Sequence, residues 1–283
     1  MSSLRSLLIL LRPASLVTVW SNCLAAWWLG GGGNPSRLPL LFAGATLLYL
    51  GGTLFSRAFE PCSGCSQAGA AGGAFTIIQR WGLGLMLLGV ALLFGLGTLV
   101  GLVGLGLPVS IVACHLTPLP SAVSIMLPAL CRLLVYVIAA AAALHGVGAS
   151  AIGCGLALAA YVAGVGLFAR QERLTGPARF GPIFLLLVPI LLALILDTGA
   201  RREAGLLLSA VLALWTARSL RPALWSAERD FAGAVSALTA GIVFVDLLAA
   251  ADAPKPVSLI FLVLFGATRL LQQLPSSDAT DAN

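Results

Sequence analysis

Charged side chains are scarce in this chain of 283 residues. Only 9% of the residues are charged, 16 of them basic and 10 acidic, whereas a soluble domain carries about 25%. So few charges cannot cover the surface of a 29.0 kDa body in water. The scarcity excludes a soluble globular protein. The hydrophobic content of 59% and the mean hydropathy of +1.03 indicate that a lipid bilayer surrounds the chain.

Two further patterns are missing. The apolar runs show no sustained alternation with polar residues, which excludes an outer-membrane barrel and predicts an all-α, polytopic membrane protein. The 15 Arg and one Lys are scattered between these runs and form no basic stripe. A nucleic-acid partner is therefore excluded, and membrane lipids are the expected surroundings.

The apolar runs predict about nine membrane-spanning helices. Proline and glycine separate them, as at Gly30 to Pro35 after the first and at Pro254 after the ninth. A further segment, 256–272, is more amphipathic, and whether it spans the membrane stays open. The nine predicted helices are 14–29, 38–58, 76–96, 97–114, 121–144, 150–168, 181–197, 203–217 and 231–250.

These helices are expected to form a single transmembrane domain over 1–283. Residues 1–13 are predicted to be a cytoplasmic N-terminal cap, because charge precedes a full-length span without a cleavage site of the signal-peptide kind. Residues 273–283 are predicted to be a disordered polar tail. The oligomeric state is not determined by the sequence.

The cations between the helices predict the orientation, because cytoplasmic loops of membrane proteins are enriched in Arg and Lys. With the N-terminus inside, ten cations are cytoplasmic and four are not. The bias places the chain in the inner or plasma membrane of the cell with a cytoplasmic N-terminus. The ten are Arg5, Arg12, Arg57, Arg80, Arg170, Arg173, Arg179, Arg218, Arg221 and Arg229, and the four are Arg37, Arg201, Arg202 and Lys255.

Polar side chains at membrane depth are few, and a charged one costs about 2.5–3.5 kcal/mol to insert. Arg132 lies deep in predicted helix 5. It is either a fixed cation that binds an anionic group such as phosphate, or half of a buried pair with an acid on another helix or a helix-end carbonyl. Asn22 is expected to hydrogen-bond a neighbouring helix. Asp246, near the end of predicted helix 9, is expected to be an interfacial cap.

Four stretches share the features of one family. They are LRPASLVTVW in helix 1, LLYLGGTLF before a polar loop, LPALCRLLVY in helix 5 and YVAGVGLFARQER after helix 6. In order and spacing they resemble the UbiA superfamily of intramembrane prenyltransferases, in particular its EboC-like branch. The resemblance covers nearly the whole chain. It implies a UbiA-type bundle that moves an isoprenoid chain from a polyprenyl diphosphate to a lipophilic acceptor, aromatic acceptors included.

The resemblance also implies a set of site residues. Members of that family hold Mg²⁺ with acidic motifs after helices 2 and 6, as suits a hard cation that prefers oxygen ligands. On this chain it implies Glu60 and Glu172 as the catalytic residues and metal ligands. It implies Arg12, Arg57, Arg132 and Arg170 as contacts of the diphosphate, and Asn22, Tyr136 and Tyr161 as residues of the substrate groove.

The acidic motifs depart from the family pattern. Where the family has N-D-x-x-D-x-x-x-D, this chain runs from Ser56 to Gly64 with Glu60 as its one carboxylate, and the match resumes at 74–76. Such a gap is typical of a degenerate homologue or of a locally shifted reading frame. Glu172 is the one acid of 168–180. Weak Mg²⁺ binding is expected, and the alternative function is a non-catalytic isoprenoid- or lipid-binding membrane protein or pathway scaffold.

Overall fold

The computed structural model describes residues 13–57, 71–116, 121–171, 181–196, 201–224 and 230–273. Over these ranges the chain forms ten α-helices and no strand, which confirms the all-α prediction. A single 3₁₀ turn, Pro35–Arg37, precedes the second helix. The helices are α1 (Pro13–Leu29), α2 (Leu38–Arg57), α3 (Ala71–Phe94), α4 (Thr98–Leu116), α5 (Ser121–Ala141), α6 (Ala149–Gln171), α7 (Gly181–Leu196), α8 (Arg201–Leu224), α9 (Phe231–Ala249) and α10 (Lys255–Gln273).

Six of these helices are long and apolar enough to cross a bilayer: α2, α3, α6, α8, α9 and α10. The described apolar stretches of α4, α5 and α7 are shorter. The chain therefore has the character of a membrane protein, but the predicted count of nine spans is not confirmed. Helix α10, whose spanning was left open, is among the six.

Several helix ends differ from the prediction. Helix α6 continues to Gln171, so Arg170 lies in its last turn and not in a loop. Helix α8 extends to Leu224, past Arg218 and Arg221. Arginine is a good helix former, so a helix does not end where its apolar run ends.

Helices α1 and α9 form the centre of the bundle. Helix α1 packs against α2, α5, α6, α9 and α10, and α9 packs against α6, α7, α8 and α10 as well. Their side chains are buried almost continuously over 17–27 of α1 and 240–250 of α9. Polar groups in the middle of these ranges, such as Asn22 and Asp246, are therefore enclosed by protein.

Hydrogen bonds of the backbone and of one side-chain pair bring three interhelical connections to one end of the bundle. Leu144 N–H donates to Gly32 O at 2.9 Å and His145 N–H donates to Gly30 O at 2.8 Å, which joins the α1–α2 and α5–α6 connections. Trp28 Nε1 donates to Asp252 Oδ1 at 3.3 Å and adds the α9–α10 connection. We call this the connection end. The opposite end of the bundle is where α1 begins and where α2 and α6 both terminate. We call this end the Pro13 end.

Glycines hold α2 and α3 in close contact. A Cβ on Gly51 would lie 2.6 Å from the carbonyl oxygen of Gly82, and a Cβ on Gly82 would lie 2.9 Å from that of Gly51. Seven residues away, a Cβ on Gly89 would lie 2.9 Å from the carbonyl oxygen of Gly44. Small residues at such positions let helix backbones approach and gain van der Waals contact, which drives helix association in lipid.

We predict that Gly82→Val destabilises the protein by about 1–3 kcal/mol, because the new side chain overlaps the backbone of α2. Gly84→Val is the matched control, since a Cβ on Gly84 meets nothing within 4 Å. The measurement is the thermal unfolding midpoint in detergent. Equal midpoints for the two variants would contradict the close α2–α3 contact.

Candidate functional site

A buried cluster of polar side chains joins α1, α5 and α9. Five of its six members have no exposed surface, and the sixth, Arg132, is half-buried. In a lipid-embedded bundle no water replaces a missing partner, so the hydrogen bonds of these groups must come from one another. We call this the polar cluster. Its members are Thr18, Ser21 and Asn22 of α1, Arg132 and Tyr136 of α5, and Asp246 of α9.

Asp246 is the acceptor at the centre of the polar cluster. Its carboxylate accepts from the hydroxyl of Ser21, from the hydroxyl of Tyr136 at 3.2 Å and from the side-chain nitrogen of Asn22 at 2.7 Å. Three donors from two other helices therefore surround one carboxylate. The expectation that Asp246 is an interfacial cap is wrong, because its side chain is completely buried.

Arg132 lies on the Pro13 side of Asp246. Its Nη2 donates to Thr18 Oγ1 at 2.8 Å and lies 3.5 Å from Ser15 O, while its Nη1 donates to Asn22 Oδ1 at 2.9 Å. The Thr18 hydroxyl donates a hydrogen bond to Ser15 O at 2.7 Å, so its oxygen can accept one from Arg132. These contacts use three of the five N–H groups of the guanidinium.

Asn22 connects the cation to the anion. Its amide nitrogen faces Asp246 and Thr18 O, at 2.7 and 2.8 Å, and its amide oxygen faces Arg132. This orientation is assigned from the neighbouring donors and acceptors. Of the two interpretations of Arg132, the structure shows the pairing with an acid on another helix, mediated by an amide. Contact with a phosphate stays a prediction.

The helical repeat places these side chains together. Thr18 and Asn22 are four residues apart on α1, and Arg132 and Tyr136 are four residues apart on α5, so each pair lies on one face of its helix. This spacing is the sequence signal for the two faces. No similar signal exists for Asp246, whose neighbours on α9 are apolar on every side.

Tyr161, predicted with Asn22 and Tyr136 to line a groove, forms a different contact. Its hydroxyl donates to Leu238 O at 3.0 Å and joins α6 to α9. All three side chains are completely buried, so none contributes exposed surface to a groove. Asn22 and Tyr136 belong to the polar cluster, and a role for the three in holding substrate stays a prediction.

Of the other predicted site residues, two arginines are described, and both lie at the Pro13 end. Arg57 is the last residue of α2 and is half-buried, and Arg170 is exposed in the last turn of α6. Arg12, Glu60 and Glu172 lie outside the described residues. Among the residues that are described, no group of three or more His, Cys, Asp or Glu could hold a metal ion.

We predict that Arg132→Met and Asp246→Leu each destabilise the protein by about 3–5 kcal/mol, because each leaves a buried charge without its counterpart. The double variant should lose clearly less than the sum of the two, since it removes both charges. Arg170→Met, at an exposed position, is the control and should have little effect. The measurement is unfolding in mixed micelles, and strictly additive losses would contradict the coupling.

Comparison with known proteins finds no family model, no curated protein and no solved structure that matches this chain.

Proposed function

We propose that this chain is a membrane prenyltransferase of the UbiA type that acts on a polyprenyl diphosphate at the Pro13 end. The supporting observation is that α2 and α6 terminate at this same end, each with an arginine in its last turn, Arg57 and Arg170. The two segments that follow carry Glu60 and Glu172. Each proposed half-site thus combines an arginine at a helix end with one carboxylate in the segment that follows, and both helix ends lie at one end of the bundle.

The chemistry of prenyl transfer requires positive charge at this face. When the C–O bond of an allylic diphosphate breaks, positive charge develops on carbon and negative charge on the leaving diphosphate. Fixed cations near the diphosphate lower the barrier, and an apolar bundle holds the isoprenoid chain. Arg12, Arg57 and Arg170 are the proposed contacts, because a guanidinium matches two phosphate oxygens at once.

Magnesium fits this set of residues weakly. Mg²⁺ requires nearly octahedral oxygen coordination, and each of the two segments supplies a single carboxylate, Glu60 or Glu172. The arginines would therefore carry most of the neutralisation of the diphosphate. No step of the proposed reaction is assigned to the metal.

The polar cluster supports the proposal by fixing a charge near the reacting end. The guanidinium of Arg132 contacts Ser15 and Thr18, which are two and five residues from the start of α1. At a rise of about 1.5 Å per residue, it lies roughly 3–8 Å along the axis from the Pro13 end. Asn22 and Asp246 hold it in one orientation, so its positive field is directed without the entropy cost of ordering a free side chain.

A second candidate is a membrane protein that binds an isoprenoid or another lipid, or organises a pathway, without catalysis. It is favoured by the hydrogen bonds of Arg132, which are directed into the polar cluster, and by the single carboxylate after each of α2 and α6. Such a protein would hold a prenyl diphosphate through its arginines and would not break the C–O bond.

We predict that the chain in nanodiscs releases diphosphate from a prenyl diphosphate, and that Glu60→Gln abolishes the release. Glu203→Gln, the same change at an exposed position in the first turn of α8, is the control and should retain activity. The assay measures diphosphate with and without a chelator. If the chain binds the prenyl diphosphate equally well with and without chelator but releases no diphosphate, the transferase proposal is wrong and the non-catalytic lipid-binding function is supported.

A gain-of-function variant separates these two functions further. Ser56→Asn, Arg57→Asp and Glu60→Asp together restore the N-D-x-x-D pattern of the family. If the rest of the site is intact, the triple variant should release diphosphate faster than the parent chain. No gain in a variant that still binds the prenyl diphosphate would support the non-catalytic function.

We predict that the Pro13 end faces the cytoplasm, because the orientation inferred from the sequence assigns ten cations to that side and four to the other. In a background without native cysteines, Lys255→Cys should react with a membrane-impermeant maleimide on intact cells. Arg170→Cys should react after lysis alone. Both positions are exposed in the structure and lie at opposite ends of the bundle. The reverse labelling pattern would invert the orientation.

A further inference from the structure

A half-open cavity of about 290 Å³ lies between helices at the connection end. Its wall is formed by the end of α1, the first half of α6 and the second halves of α7 and α9. The lining is mostly apolar, with Leu29, Ala157, Leu192 and Leu248 among its residues, and Ser150 and Cys154 add polar atoms. We call it the apolar chamber. It does not include Arg132 or any other member of the polar cluster.

Small side chains create the apolar chamber. Ala149 and Ala157 of α6, Ala193 of α7 and Ala249 of α9 stand where larger residues would fill the space. A Cβ on Gly153 of α6 would meet a single neighbour, Leu192, at 3.9 Å. A chamber of this size approaches the lower limit of small-ligand pockets.

A second cavity, of about 320 Å³, adjoins the chamber. The two share Leu29 and Ser150, and the second adds Trp28, Gly31 and Asp252 to its lining. We call it the polar vestibule. Trp28 Nε1 donates to Asp252 Oδ1 at 3.3 Å and holds the carboxylate at this rim. Together the two cavities have an apolar interior and a hydrogen-bonding entrance, which is the shape of a site for an amphiphile.

The rim determines the kind of head group. The carboxylate oxygens of Asp252 accept hydrogen bonds, and the hydroxyl of Ser150 can both donate and accept. No cation lines the vestibule within the described part of the chain. The carboxylate would repel a phosphate, whereas a hydroxyl can donate a hydrogen bond to it.

We propose that the apolar chamber and the polar vestibule bind a neutral lipid with a hydroxyl head, such as a long-chain alcohol. The hydrocarbon tail fills the chamber, and the hydroxyl donates to Asp252 at the rim. This site lies at the opposite end of the bundle from the Pro13 end. It goes beyond the proposed transferase, and its occupant differs from a prenyl diphosphate in the charge of the head.

The test uses the full chain in nanodiscs with dodecanol that carries a diazirine in its chain. Light should attach the probe to the walls of the chamber, and mass spectrometry should locate it on 149–157 and 189–196. Unlabelled dodecanol should compete, and dodecyl phosphate, with the same tail and an anionic head, should compete about tenfold less well, a difference of about 1.4 kcal/mol. The Asp252→Asn variant should show a smaller difference between dodecanol and dodecyl phosphate in how strongly they compete with the probe.

Two phenylalanine variants of α7 control for packing. Ala193→Phe fills the chamber and should lower saturable labelling at least about tenfold, a loss of about 1.4 kcal/mol or more. Leu194→Phe changes the adjacent residue, which is 52% exposed, and should label like the parent chain. Size-exclusion profiles establish that both variants fold. Labelling that does not saturate, equal competition by the phosphate, or equal labelling of the two variants would overturn the site.

Discussion

The arrangement of the bundle depends on one amide. Asn22 stands between a cation and an anion that come from two different helices, and it meets the needs of both: its oxygen accepts from Arg132 and its nitrogen donates to Asp246. In a medium without water, each of these charges would be costly to bury alone. The amide converts two costs into a chain of hydrogen bonds. Helices α1, α5 and α9 are thereby held in one register, because a shift of any of them leaves a charged group without a partner.

The remaining contacts are apolar and rely on the size of side chains. Where α2 meets α3, glycine removes the side chain and the backbones touch. At the connection end, alanines of α6, α7 and α9 remove side-chain volume without backbone contact, and cavities result. The same loss of volume thus has two outcomes, which depend on whether the neighbouring helix is free to approach. The bundle is tight on the side of α2 and open at the junction of α6, α7 and α9.

The sequence predicts the presence of the helices well, because glycine and proline residues mark several of their ends. Gly30 to Pro35 and Pro254 interrupt the apolar runs, and the structure has connections at both. The sequence predicts that Asn22 and Arg132 have polar partners, because polar residues at membrane depth need them. It does not predict Asp246 as their partner, since the depth of a residue along a helix can be read from the chain and its rotational position cannot when the helix is apolar on all faces. The cavities are equally hidden, because they arise from small residues on three helices that are distant in sequence.

The polar cluster also has a consequence for biosynthesis. A chain is made from its N-terminus, so α1 and α5 enter the membrane before α9 exists. If α1 and α5 pack together during that interval, Thr18 and Asn22 can each accept a hydrogen bond from Arg132, as they do in the complete fold. The guanidinium of Arg132 would then be hydrogen-bonded to a hydroxyl and an amide before Asp246 has been inserted into the membrane. When α9 enters the bundle, Asp246 needs only to accept a hydrogen bond from the amide nitrogen of Asn22. The position of α9 is therefore determined by the contact of Asn22 with Arg132, which can form once α5, four helices earlier, is in place.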